Sequence, residues 1–394
     1  MSSILQPVDP YDRRLRRQRR RQQIRRRRLG AAAVLLALIG AGILGAVVAS
    51  HVNRHPPQRA AAPASRPVTL EPRPYPHEVR GVHISMALAG SSQKLDEYIA
   101  MKRDGLNTLE IDVKDEQGQI AFDPGSPLAR AVGAAHNYYD PNRLAAKVHG
   151  AGLYLIGRVV TFEDPYLSGG DPALAILRPD GSRWVSNEGL GWTNPYDRRV
   201  WKYNVAVATA AAKAGFDEIQ FDYVRFPSDG DLTQIRYPGV HGQAAGWTVP
   251  LFLKYAAEHL RPLGVRVSAD VFGLSATRDL GIGQLPRRIA GVVDSIYPMV
   301  YPSHYGSGEY GLVDPNSRPG VTVAYSLRDF RAKLEGRKTF VIAWLQDFTL
   351  GRAYTLSDVR DEIQSARLEH VKGFMLWNAE GIYTRRALST PSFR

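Results

Sequence analysis

The chain has no cysteine in its 394 residues, which excludes disulfides, thiol nucleophiles and cysteine-ligated zinc. It also lacks the His-x-His strand of a metal-dependent hydrolase. Clustered His and Asp ligands for a deacetylase or phosphoesterase cannot be assembled, so neither a metal nor a cofactor is expected. No glycine-rich phosphate loop follows the first apolar strand, which argues against a dinucleotide-binding sheet. There is no convincing internal repeat, and no recognisable sugar-binding or peptidoglycan-binding repeat. Excess charge is scarce outside the N-terminus. Of the net +13, residues 1–28 supply +9 from eleven arginines against Asp9 and Asp12, leaving +4 for the other 366 residues. A large domain with so little excess has no electrostatic footprint for DNA or RNA.

What is present begins with a topology signal. After the arginine run, Leu29 to Ser50 forms 22 residues without a charge. As a helix this stretch would be about 33 Å long, enough to cross a bilayer core of roughly 30 Å, with the arginines held on the cytoplasmic side. The expected organisation is a basic cytoplasmic tail (1–28), a single-pass transmembrane signal anchor (29–50), a proline-rich linker (51–79) and an extracytoplasmic domain (80–390). A cleaved secretion signal ending at "VAS" (48–50) is the alternative, although the apolar run exceeds the about 7 to 15 residues of a usual signal core. The arginine run could bind RNA, but beside an apolar span it reads as a topology signal.

From Arg80 onward, short apolar strands alternate with helical stretches. Strands are expected at 80–85, 108–114, 153–160, 218–224, 266–272, 294–300, 340–346 and 373–379. Helices are expected at 94–103, 141–149, 198–214, 251–261, 327–334 and 356–368. Asn194 is a possible N-cap, with Pro195 at the first helical position. "RDGLNT", "HGAGLY" and "KAGFDE" place glycine just past a helix, where a left-handed residue is wanted. Eight strands with crossovers over about 310 residues fit an α/β fold of the (β/α)8 TIM-barrel type. An open doubly wound sheet is the rival.

In a barrel the chemistry sits at the C-terminal ends of the strands. The stretch "FDEIQFDYVRFP" (216–227) alternates Ile219, Phe221 and Tyr223 on one face with Glu218, Gln220 and Asp222 on the other. Asp222 is the first catalytic candidate and Asp270, ending the adjacent strand, the second. Asp112, Lys114, Arg158, Trp192, Arg225, Tyr297, Tyr301, His304, Trp344, Gln346, Trp377 and Asn378 are candidate substrate-binding residues. Two carboxylates with aromatic platforms and amides are what cleavage of a glycosidic bond requires. With strands about 4.8 Å apart, a carboxylate separation near 5 to 6 Å and a retaining outcome are conceivable, though side-chain direction could double that distance. Bland roles stand beside each assignment. Asp222 could pair with Arg225 or Lys114, Asp112 could be an ion-pair partner of Lys114, and Asp270 could cap a turn. The tryptophans could be core, and His83 a satisfied core histidine.

"GVHIS", "EIDVKDEQG", "FDEIQFDYVRFP", "ADVFG", "YPMVYPSHY" and "GFMLWNA" together resemble a bacterial glycoside-hydrolase-like family. Formerly a domain of unknown function, it is a TIM-barrel group distantly similar to α-amylase-type and other polysaccharide hydrolases. The resemblance covers roughly residues 80 to 380. It implies a barrel acting on an extracytoplasmic glycan, with Asp222 as the leading carboxylate; Asp270 as its partner is inferred from strand adjacency. The expected function is a membrane-anchored glycoside hydrolase of cell-wall or exopolysaccharide glycan. A non-catalytic glycan-binding barrel is the alternative. The long segments 115–139 and 161–193 are expected to form the cleft rim, with Trp192 either stacking on sugar or pinning the loop.

Overall fold

In the computed structural model, which describes residues 73–239 and 243–389, the alternation becomes a closed barrel. Its strands are β1 (Val79–Ile84), β2 (Thr108–Lys114), β3 (Tyr154–Val160), β4 (Glu218–Asp222), β5 (Arg266–Phe272), β6 (Ser295–Met299), β7 (Phe340–Gln346) and β8 (Gly373–Trp377). All pair in parallel in chain order, and β8 pairs back onto β1. That last pairing excludes the open sheet, because a doubly wound sheet keeps two free edges. The longer helices are α1 (Ser92–Ala100), α2 (Pro141–Gly150), α3 (Arg198–Ala214), α4 (Ala245–Leu260), α5 (Pro319–Lys333) and α6 (Leu356–Leu368).

Each strand is buried on both faces, but the faces differ in chemistry. On β4, Phe221 points outward and meets Phe252 of α4 edge to face at 5.2 Å, while Glu218, Gln220 and Asp222 point into the barrel. The larger apolar core therefore lies between strands and helices, while the barrel interior combines these polar groups with a smaller cluster that includes Val79, Ile156, Ile342 and Met375. Deep inside, Glu218 accepts hydrogen bonds from Tyr297 (3.0 Å) and Tyr154 (3.1 Å). Burial raises its pKa to about 7. Tyr297 is thus committed to the barrel interior and does not line the cleft.

The three expected helix-ending glycines, Gly105, Gly152 and Gly215, all have positive φ. The start of α3 differs from expectation. Its N-cap is Asp197, which accepts from the Arg199 N–H at 2.7 Å. Asn194 makes a turn one step earlier, accepting from the Tyr196 N–H. The barrel also begins earlier than expected, inside the stretch read as linker. Val79 opens β1, and Tyr75 stacks on Phe340 at 5.4 Å and bonds to Ser295. The basic tail, the anchor and residues 51–72 of the linker lie outside the described residues. Among the described residues no helix is long and apolar enough to cross a membrane.

The seam that closes the barrel has its own requirement. Gly373 has φ +151°, and a Cβ there would overlap the backbone nitrogen and carbonyl oxygen of Val79 on β1. Gly373→Ala is expected to cost about 3 kcal/mol or more, because only backbone can move to relieve the overlap. Gly336→Ala is the control: φ is +76° but nothing lies within 4 Å of the added Cβ, so the cost there is about 1 to 2 kcal/mol. Denaturant midpoints of the two variants check this, and equal losses would refute the steric account.

Candidate active site

The C-terminal ends of the strands open onto a cleft of about 800 Å³, lined among others by Arg158, Asp222, Arg225, Asp270, Tyr301, His304, Trp344 and Trp377. Its two carboxylates come from adjacent strands. The register pairs Gln220 with Ser268 and Phe221 with Ala269, and Asp222 and Asp270 each follow the last of these pairs toward the cleft.

Asp222 is held entirely as an acceptor. Its Oδ2 receives Arg158 Nη2 at 2.7 Å and Nε at 2.9 Å. Its Oδ1 receives the Tyr223 N–H at 2.6 Å. The last bond depends on Tyr223 adopting φ +47°, an unfavourable conformation for an aromatic residue, which ends β4 and turns its amide back onto the carboxylate. Strain beside a reactive group is a feature of functional sites, and here it fixes one of the two oxygens.

Asp270 is held differently. Its Oδ1 accepts from Gln220 Nε2 at 2.5 Å and from Trp344 Nε1 at 2.7 Å, both neutral donors. Among the described residues no cation is in contact with it, and its other oxygen has no protein partner. Burial, then the charges of Asp222 and Glu110, push its pKa well above the usual carboxylate range. The two carboxyl groups therefore differ in kind: Asp222 accepts from a cation, whereas Asp270 meets only neutral donors and favours its protonated form.

Arg158 organises the site. Besides Asp222 it donates Nη1 to Asp112 at 2.7 Å, and its guanidinium lies 5.3 Å from the Trp377 ring centroid. Burial opposes its charge, but Asp222, Asp112, Glu116 and Glu110 more than compensate and hold its pKa well above normal. Behind it, His83 Nδ1 lies 2.6 Å from Glu110, His83 Nε2 lies 3.6 Å from Asp112, and the imidazole packs on Trp377 at 4.4 Å. Burial opposes the imidazolium, yet Asp112 and Glu110 raise its pKa above the ordinary histidine value. His83 is therefore more than a satisfied core residue. It ties β1 to the chain of charges that ends at Asp222.

Several expected residues lie elsewhere. Lys114 is fully buried behind the sheet, where it bonds Asp164 and Asn204, each at 2.7 Å. It pairs with neither Asp222 nor Asp112; Arg158 takes that place. A register shift between Asp112 and Lys114 turns the lysine away from the barrel interior. Trp192 is fully buried, with the Arg225 guanidinium 5.0 Å from its ring centroid, so it pins the rim loop instead of presenting a free face. Gln346 is spent on Ser303 N–H and the Phe348 carbonyl. Asn378 shapes the turn after β8, accepting from the Glu380 N–H. Asp112 is buried against Arg158. Trp344 is buried too and reaches Asp270 through its N–H, whereas Trp377, half-buried, presents a ring to the cleft.

Sequence reading passed over the apolar wall formed by Phe272, Leu274, Ile282 and Met299. These residues sit at or after the ends of β5 and β6, and the only signal was an excess of apolar residues in a glycine-rich loop, "GLSATRDLGIGQ". Glu163, in the rim, is buried and makes no side-chain hydrogen bond among the described residues, and burial raises its pKa to about 8. Among the described residues no cluster of His, Asp and Glu is arranged to hold a metal ion.

A family model described as "Putative glycosyl hydrolase domain" matches residues 81–383. No curated protein matches the chain. Among solved structures, a hypothetical protein from Ruminiclostridium thermocellum is 34% identical over 48% of this chain and 97% of its own, with TM-score 0.45. The PgaB (BpsB) glycoside hydrolase domain from Bordetella bronchiseptica is 14% identical, covering 78% of this chain and 95% of its own at TM-score 0.55. The spore cortex-lytic enzyme SleL of Bacillus cereus is 10% identical, covering 80% and 75% at TM-score 0.50. At these identities the last two show likeness of fold.

Proposed function

From the premise that this chain belongs to that glycosyl hydrolase family, we propose that it is a membrane-anchored glycoside hydrolase of cell-wall or exopolysaccharide glycan, with its barrel outside the cytoplasm. One observation carries the mechanism: Asp222 accepts hydrogen bonds from the Arg158 fork, whereas Asp270, on the adjacent strand, meets only neutral donors and has its pKa raised by burial. Asp270, whose free oxygen carries the proton, donates it to the leaving glycosidic oxygen. Asp222, kept as an acceptor by Arg158 and the Tyr223 amide, acts on the anomeric side as nucleophile or as the base for water. Burial of Asp270 serves this role, since a carboxyl group ionised at neutral pH has no proton to give. Trp377 offers a flat apolar surface for a sugar ring. The anchor and the orientation rest on the uncharged stretch 29–50 and its arginine flank.

The test is release of reducing ends from a panel of bacterial cell-wall and capsular glycans by the full chain. Turnover on at least one glycan is expected. Binding without turnover across the panel would replace this reading with a glycan-binding barrel that does not cut. Orientation is checked separately by protease access to the barrel in intact cells, and a protected barrel would overturn it.

A further inference from the structure

Arg225 is the one guanidinium on the cleft wall without a carboxylate in ion-pair contact among the described residues. It is 8% exposed, and its Nη1 is spent on the Phe226 carbonyl (3.1 Å) and Ser228 Oγ (3.0 Å). Nε and Nη2 donate to no protein group. The rings of Phe272, Tyr223 and Trp192 surround the guanidinium, with centroids 4.8, 4.9 and 5.0 Å from its central carbon. These contacts fix the plane of the fork at little cost to its donors.

None of the neighbouring acids pairs with it directly. Asp222 is taken up by Arg158, and Asp229 is exposed at the rim. Glu163, Asp222 and Asp229 act on the Arg225 charge only from a distance, and burial lifts the Glu163 pKa to about 8 against the pull of that guanidinium. The lining therefore keeps one desolvated guanidinium with no carboxylate in contact among the described residues, three residues after Asp222.

We propose that Arg225 is a substrate-recognition residue for a sugar carboxylate, so that the preferred substrate is an acidic glycan bearing that group beside the bond to be cut. A planar carboxylate matches the planar fork and takes two parallel N–H donors on its two oxygens, a charge-assisted geometry that a single neutral hydroxyl does not reproduce. A buried cation that greets only hydroxyls would keep its desolvation cost without an opposing charge. This inference rests on the cleft being a glycan site but not on cleavage.

The test is equilibrium binding to the full chain of two acidic probes, a hyaluronan tetrasaccharide (uronic carboxylate) and a muramic-acid-containing peptidoglycan disaccharide (lactyl carboxylate). Each is compared with its carboxyl-reduced derivative, so the two arms separate the two sources of the group. The expected result is that at least one acidic probe binds roughly tenfold to a hundredfold more tightly than its reduced form. Arg225→Gln should remove that preference, and Arg225→Lys should keep part of it. An unchanged near-ultraviolet circular dichroism spectrum of each variant reports that the aromatic cleft is intact. Equal affinity, or none, for acidic and reduced probes in the parent chain overturns the proposal, as does a preference that survives in Arg225→Gln. Acid preference without turnover would retain this inference and remove the hydrolase reading; turnover of neutral glycans without preference would do the reverse.

Discussion

Asp222→Asn is expected to lower turnover on any cleaved glycan by a factor on the order of 10⁴ or more, with glycan affinity kept. The amide cannot attack or activate water, and its NH₂ would face an Arg158 fork that needs an acceptor. Asp270→Asn is expected to lose about 10²- to 10⁴-fold, the usual worth of a general acid. Its amide oxygen can still accept from Gln220 and Trp344, so the fold should be preserved. The two losses should not multiply in the double variant, because the carboxylates serve one transition state. The pH profile adds a sign. Since Asp270 has a raised pKa and works protonated, turnover should fall as pH rises through that pKa. Removing the Asp222 charge takes away one of the causes of the shift, so the Asp270 titration, followed by carboxyl-carbon NMR, should move to lower pH in Asp222→Asn. A basic limb that persists in Asp270→Asn would assign it to another group, of which Glu163 is the first to examine.

Arg158→Met should be the most damaging change to the site's stability. It leaves Asp112, 3% exposed, and Asp222, 7% exposed, on the barrel interior without their cation. Stranding buried charge in this way costs about 3 to 5 kcal/mol. Urea midpoints for parent and variant provide the measurement. A deficit below about 1 kcal/mol would mean that the two carboxylates do not depend on Arg158. Arg158→Lys should recover part of the loss, since one ammonium can reach either carboxylate but cannot reproduce the two-armed grip.

The barrel was legible because its signals are local. Strand positions agree with alternating or apolar runs bounded by helices, and β4 alternates so regularly that Asp222 could be placed on the inner face from spacing alone. Gly105, Gly152 and Gly215 announced the helix ends because a left-handed residue there has few chemical solutions. That Asp222 and Asp270 lie near the cleft ends of neighbouring strands could be anticipated from chain order, but not their register, because barrel strands are staggered. Asn194 shows the limit: several residues near a helix start can cap it, and the choice of Asp197 is settled by which carboxylate reaches a free N–H.

Partner choice was out of reach for a physical reason. Lys114, Arg158 and Arg225 are all cations at or near strand ends, and the strand period alone offers each to the cleft. A shift of register between Asp112 and Lys114 sends the lysine to Asp164 and Asn204 behind the sheet. Arg158, one strand over, gains both Asp112 and Asp222. The left-handed turn at Tyr223 and the burial of Trp192 follow from long-range packing of the rim. The sequence by itself determined the barrel, the inward carboxylates and the apolar stretch near the N-terminus, because each depends on the period and composition of a few neighbouring residues. Only the tertiary structure decided which carboxyl group meets a cation, which one burial drives toward its protonated form and which arginine lacks a carboxylate in contact, because those depend on distances among groups that are tens of residues apart in the chain.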